Sequence, residues 1–229
     1  MKNSKLIIGI FLVLAALLVG CSEKKWAKTT DVSISMSSTS NEVTIAGKQF
    51  VMDTILLQFT DMGITGDRLQ AESVNVQNST HSSLEFISGV SVGVGIFKIP
   101  QGTFEKMEMP VRIGASASSS VYISGVYFLP SSNTYDVLIS LDIDSYELLS
   151  VVDVDNSSTI LLEEGKARVL NLELDVEALF AEVNPGLWTA AAVTSINGSQ
   201  TIQIDQLNNS SLYFALLAGV SNSLSTKFQ

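Results

Sequence analysis

The chain has 229 residues, with 13 basic and 23 acidic side chains, a formal charge of −10, one Cys and one His. That length suits one large domain, or one domain with an appendage, and supplies a core without disulfides, of which a single Cys forms none internally. So acidic a surface repels phosphate backbones and anionic head groups, which removes nucleic acid from the expected partners, and it also favours solubility.

Residues 1–20 read as a secretory signal. Lys2 and Lys5 form its positive start. Leu6 to Val19 is apolar apart from Gly9, the right length for a signal core and short for a membrane span. Leu18-Val19-Gly20-Cys21 then matches the lipobox of bacterial lipoprotein signals. Small residues before the cut let the chain enter the peptidase, and the Cys21 thiol is the group that takes diacylglycerol. An ordinary signal or an uncleaved anchor would leave Cys21 incidental, yet the sole Cys sits where a lipobox puts one. After the cut the chain keeps 11 basic and 23 acidic side chains, a formal charge of −12. Lipid on Cys21 holds it to a membrane, and residues 21–30 form the tether. Ser22 stands where inner-membrane lipoproteins commonly carry Asp, which points to the outer membrane.

Beyond the tether the apolar period is two. Ile55, Leu57 and Phe59 alternate with polar or outward positions, as do Val90, Val92, Val94 and Ile96. The same holds for Met107, Met109, Val111 and Ile113, for Val137, Ile139, Leu141 and Ile143, and for Leu170, Leu172 and Leu174. One apolar and one polar face per strand predicts antiparallel sheets packed face to face. Ile99-Pro100-Gln101-Gly102 predicts a hairpin turn, and Ser116 to Ser120 and Pro130 to Thr134 predict loops. Val176, Leu179, Phe180 and Val183 then share a helical face, with Asp175 as N-cap and Asn184-Pro185-Gly186 as a stop. Gln200 to Asp205 returns to a strand after an Asn197-Gly198 turn. A last helix, capped by Asn208, Asn209 or Ser210, presents Tyr213, Leu216, Leu217, Val220 and Leu224. It is too short to span a bilayer and is expected to dock on the sheet. The fold class is thus mainly β: an antiparallel two-sheet sandwich over 31–183, with a short helix, and a C-terminal strand-helix extension over 184–229 packed on it.

Several stretches carry these signals in one order: the lipobox, the strand Thr54 to Phe59, and the segment Ile99-Pro100-Gln101-Gly102-Thr103-Phe104-Glu105-Lys106-Met107. The run Gly125-Val126-Tyr127, the strand-helix Leu170 to Phe180 and the tail from Ile204-Asp205 to Tyr213 follow. Together they resemble uncharacterised lipoproteins of Bacteroidetes-type bacteria, in which a proline, glycine, threonine, aromatic turn opens a strand of a β-sandwich. The resemblance covers most of the chain after Cys21. It implies a sandwich and export, and that family has no assigned activity to carry over.

Gly89-Val90-Ser91-Val92-Gly93 fits the G-x-S-x-G nucleophile elbow, which needs a strand-to-helix turn at Ser91 and a downstream His. The only imidazole, His81, lies upstream in a polar loop, and alternation continues past Ser91, so we read a plain strand. Asp153, Asp155, Ser157 and Glu164 occupy the first, third, fifth and twelfth places of a calcium loop, with Ile160 at the eighth. Ser158 stands where the sharp turn wants Gly and no helices flank the segment, so the reading is a polar loop, with Asp153, Asp155 and Glu164 as weak metal candidates. Asp142 and Asp144 share one strand face, as acid-base pairs do and as solvated strands do. Trp188 and Tyr127 are sugar-stacking candidates or core aromatics. Asp53-Thr54-Ile55 matches a short O-glycosylation signal or a strand start. N-glycosylation sequons such as those at Asn78, Asn156, Asn197 and Asn209 are matches of pattern only in a bacterium. One His and an acylated Cys exclude a Cys/His zinc site within one chain, and there is no P-loop or dinucleotide fingerprint. No cofactor is expected.

These observations describe an outer-membrane lipoprotein on the periplasmic or cell-surface face. Its expected role is a non-enzymatic binding or accessory module for an envelope protein or glycan. The alternative is a structural subunit of a surface assembly, such as fimbria-like sandwich proteins. The absence of a downstream imidazole carries an expectation of its own: a fluorophosphonate probe leaves the folded chain unlabelled. Labelling that vanishes in Ser91→Ala would establish a nucleophile instead.

Overall fold

Alternating apolar residues dictate extended backbone wherever one strand face is buried, and the described residues are 60% strand and 13% helical, hence mainly β. The computed structural model describes residues 26–78, 82–86, 90–114, 119–129 and 133–229. The signal segment 1–20, Cys21, the start of the tether, His81, Gly89 and parts of both predicted loops lie outside the described residues.

The spine is β3 (Lys48–Arg68). Along one edge run β7 (Gly102–Ile113) and β8 (Val121–Phe128), end to end. Gln58 serves both: its N–H donates to Ser120 O at 2.8 Å and its carbonyl accepts from Gly114 N at 3.1 Å. The opposite edge of β3 carries β2 (Glu42–Ile45), β4 (Val74–Asn78) and β5 (Ser82–Phe86). A further row repeats the arrangement, with β9 (Thr134–Leu141) on β8 and β10 (Ser145–Val152) on β7. β11 (Ile160–Leu162) also lies on β7. From β9 the sheet continues into β14 (Ser199–Ile204) and β13 (Val193–Ile196). From β10 it continues through β15 (Leu224–Phe228), β12 (Arg168–Leu174), β1 (Thr29–Ser38) and β6 (Val92–Pro100). β6 comes alongside β4 and β5, so the sheet curls back towards its own spine.

This differs from the expected antiparallel two-sheet sandwich. The described strands form one sheet, and it is mixed: β1 with β12, β10 with β15 and β9 with β14 are parallel. Period two determines which residues face the core and is silent on strand direction. Nor is 184–229 an appendage to the sheet, since β15 sits between β10 and β12.

The predicted inner faces hold for β3, β7 and β12, where Ile55, Leu57, Phe59, Met109, Val111, Leu170, Leu172 and Leu174 are all buried. Burying one such side chain contributes about 1.5–3 kcal/mol. In β9 the face ends at Leu141, and Ile143 lies in the connection to β10. β6 departs from its predicted face: Ile96 is 64% exposed while Phe97 and Ile99 are buried. The cause is a register slip against β1 between Ile34 and Ser35, and a one-residue slip inverts every later side chain. The expected hairpin at Pro100 is also absent, because β6 pairs with β1 and β7 pairs with β3.

Among the helices, α1 (Val176–Phe180) is capped as expected by Asp175, whose carboxylate accepts from Ala178 N. Asn184-Pro185-Gly186 is not a stop but the start of α2 (Pro185–Thr189). Asn184 accepts from Gly186 N, and Pro185 has the fixed φ that suits a first helical position. The Asn197-Gly198 turn joins β13 to β14 with both residues at positive φ, as a type I′ turn requires. The last helix, α3 (Ser210–Ser223), buries Tyr213, Leu216 and Val220 as expected, and Leu224 already belongs to β15.

At Gly219, α3 crosses α1 so closely that a Cβ would lie 2.2 Å from Leu179 O. Helix propensity favours alanine there by about 1 kcal/mol, and the clash with rigid backbone exceeds it. Gly219→Ala is therefore expected to lose about 2 kcal/mol of net stability, read as a lower urea midpoint. An unchanged or raised midpoint would show that the two helices separate freely.

Candidate functional site

The resemblance segment Pro100-Gln101-Gly102-Thr103 forms a corner at which the chain leaves β6 and enters β7 after a single residue, Gln101. Gly102 adopts φ +154°, and a Cβ there would lie 2.9 Å from Arg68 Cδ, so the position favours glycine on two counts. Buried Gln101 gathers three segments. Its N–H donates to Lys28 O at 2.8 Å, its carbonyl accepts from Arg68 Nη1 at 3.0 Å, and its Oε1 accepts from Glu164 N at 3.1 Å. Arg68, at the end of β3, also donates from Nη1 to Trp26 O at 2.8 Å and from Nε to Glu72 O at 2.8 Å. Burial pushes its guanidinium down from the ordinary value, and the Glu72 carboxylate opposes that shift. Thr30 Oγ1 completes the grip by donating to Lys166 O at 2.8 Å. The chain is thus held from Trp26 onward, and much of the expected tether 21–30 belongs to the folded body.

The metal candidates lie at the same end, but each is held by a partner of its own. Asp153 forms an ion pair with Arg168 Nη2 and accepts from Arg168 Nη1 at 3.2 Å and from Val154 N at 2.7 Å. Asp155 accepts from Ser157 N at 2.9 Å, a local turn contact. Glu164 pairs with Lys28 at 2.9 Å. Among the described residues no cluster of three or more His, Cys, Asp or Glu side chains is placed to hold a metal ion. The calcium-loop spacing is present in sequence, whereas Asp153 is committed to Arg168, Glu164 to Lys28 and Asp155 to a local turn.

The other candidates also separate. Ser91 is exposed and leads into β6, where an elbow requires a helix. Asp142 and Asp144 lie in the β9–β10 connection, and Asp144 takes a two-point hydrogen bond from Arg112, at 2.8 and 2.9 Å. Arg112 holds the Asp144 carboxyl below the usual carboxylate range, as a solvated ion pair does. Tyr127 and Trp188 are 3% and 1% exposed, which leaves no face for a sugar. They pack edge-on at 5.5 Å, with Phe50 and Phe180 against the indole, while Tyr127 Oη donates to Ile45 O at 3.1 Å. Asp53 and Thr54 lie within β3 at a register shift rather than at a strand start. No described helix is long and apolar enough to cross a membrane.

No family model matches the chain, and no curated protein or solved structure matches it either.

Sequence reading missed Arg68 and Gln101. The available signal was the adjacent Pro100 and Gly102, read as a turn between paired strands rather than as a corner that needs a side-chain clamp.

The Asp153–Arg168 pair is mostly buried and generates a pH expectation. The Arg168 guanidinium holds Asp153 below the usual carboxylate range, with burial opposing and Val154 N–H assisting. A depressed folded value stabilises above the unfolded value of about 4 and loses that contribution as pH falls through the folded one. Asp153→Asn is expected to cost about 2 kcal/mol at neutral pH, with the gap closing below about pH 4. Denaturant melts across that range check it, and a gap that persists into acid would assign the cost to packing.

Proposed function

We propose that this chain is a lipid-anchored envelope protein, cut before Cys21 and acting at the outer membrane as a non-enzymatic binding or accessory module. The observation that carries the reading is the lipobox Leu18-Val19-Gly20-Cys21 with the sole Cys at its acceptor position. The grip on Trp26, Lys28 and Thr30 supports it, because an anchored chain needs the residues near its anchor fastened to the domain. The carboxylates of Asp153, Glu164 and Asp144 are held in ion pairs with Arg168, Lys28 and Arg112, and we assign them a structural role. The partner is an envelope protein or glycan near the bilayer. In fold terms we read the curled sheet as a sandwich-like pair of walls, β3-β7-β10 and β12-β1-β6, with β15 in the seam. The likeness to Bacteroidetes-type lipoproteins fits this reading. The fimbria-like alternative has weaker support: the central position that a donated strand would fill is occupied by the chain's own β15.

Metabolic labelling with an alkynyl fatty acid tests the anchor. Wild type is expected to label and to sediment with outer membranes, and Cys21→Ala to lose the label and remain uncleaved or soluble. Equal labelling of both would end the lipoprotein reading.

A further inference from the structure

The inference rests on the lipid anchor proposed above and concerns what the anchored end of the domain touches. Covalent geometry bounds the distance. Five residue steps separate Cys21 from Trp26, and fully extended they span at most about 18 Å. Trp26 is itself fastened to Arg68, so the Arg68–Gln101 end of the domain is tied within that distance of the bilayer surface.

This end carries an exposed apolar group. Leu69 is 55%, Leu161 51% and Val154 58% exposed. Two of them flank one residue of β7: Leu161 stands opposite Thr103 in the strand register, and Leu69 N–H donates to Thr103 O at 2.9 Å. Val154 joins them through Arg168, which binds the neighbouring Asp153 carboxylate and reaches the Leu161 carbonyl at 3.5 Å. Half-buried Trp26 lies beside Arg68, and tryptophan favours the membrane–water interface. Three ion pairs stand at this end, Lys28 with Glu164, Lys166 with Glu163 and Arg168 with Asp153, and Asp155 beside Val154 keeps its charge with only a Ser157 N–H contact. A strongly acidic chain thus brings an end on which three carboxylates are paired to the surface where uncompensated carboxylates are repelled.

We infer that the end bearing Leu69, Leu161 and Val154 rests on the phospholipid surface into which the Cys21 lipid inserts, as a second, non-covalent membrane contact. The lipid holds the domain at the bilayer, and these side chains set its orientation, with the Phe50–Trp188 end pointing away. The expected depth is that of head groups and the first methylenes, since three side chains and one indole cannot displace more.

The test uses the full-length lipidated protein in phosphatidylethanolamine–phosphatidylglycerol vesicles. Acylated Cys21 offers no free thiol, so a single introduced cysteine takes an environment-sensitive fluorophore specifically. L69C, V154C and L161C report the anchored end, and F128C and L187C, also exposed, report the far end. With nitroxide on the lipid head groups, the first three are expected to show a blue shift and strong quenching, and the other two neither. Protein that floats with the vesicles but is quenched no more at 69, 154 and 161 than at 128 and 187 would overturn the inference and leave the anchor standing. A blue shift without lipid quenching would mean that a second copy or another protein covers this end, which also overturns it. Failure to float would remove the anchor reading, and the inference with it.

Discussion

The strand β15 joins what would otherwise be two incomplete half-sheets. It runs parallel to β10 at Val151 and Val152 and antiparallel to β12 from Leu174 to Leu170. Without it, the facing backbone N–H and C=O groups of both neighbours would have no partners, and two open strand edges would result. Its inward residues Leu224, Thr226 and Phe228 close the core between the two halves. Thr226 Oγ1 donates across the seam to Ser150 O at 3.0 Å. Phe228 lies under the Arg168 guanidinium, 4.2 Å from the ring centre, so the same arginine that holds Asp153 also covers the seam.

The Gln101 corner does related work at the other junction. β6 belongs to one half of the sheet and β7 to the other, and one residue carries the chain between them. So short a crossing leaves the Gln101 backbone groups facing inward, where Arg68 and the Lys28 carbonyl satisfy them while Glu164 N–H donates to the Gln101 side chain. Thus the point where the two halves meet in sequence is also where the N-terminal segment is fastened, so the position of any membrane anchor is coupled to the geometry of the sheet.

Much of the fold was legible in the sequence because burial imposes a period. The faces of β3, β7 and β12 follow from Leu, Ile, Val and Met at every second place, and α1 follows from Asp175 and its helical stripe. What alternation cannot encode is partnership. Nothing in Ile34 or Leu170 reveals that β1 lies parallel to β12, and nothing in Ser35 announces the slip that turns Ile96 outward. Asn184-Pro185 shows a different limit, because a pair that reads in sequence as the end of one helix instead opens the next. At the candidate site, the carboxylates of the calcium-like spacing were visible, but the cations that occupy them were not. Arg168 follows Asp153 by 15 residues and Lys28 precedes Glu164 by 136, and such distances join only after the sheet has formed.

The pairing of β1 with β12 has a kinetic consequence. Ser35 and Asn171 face each other across a separation of 136 residues, and β15 meets β10 across about 76. Neighbouring pairs such as β3 with β4 or β13 with β14 close short loops and gain contacts early, whereas the middle of this sheet pays a long loop-closure cost before any contact repays it. Folding is therefore expected to be slow and to end at the centre rather than at the edges. Until then the apolar faces of β10 and β12 stand open, and a chain in that state is the natural client of chaperones that shield unpaired strands.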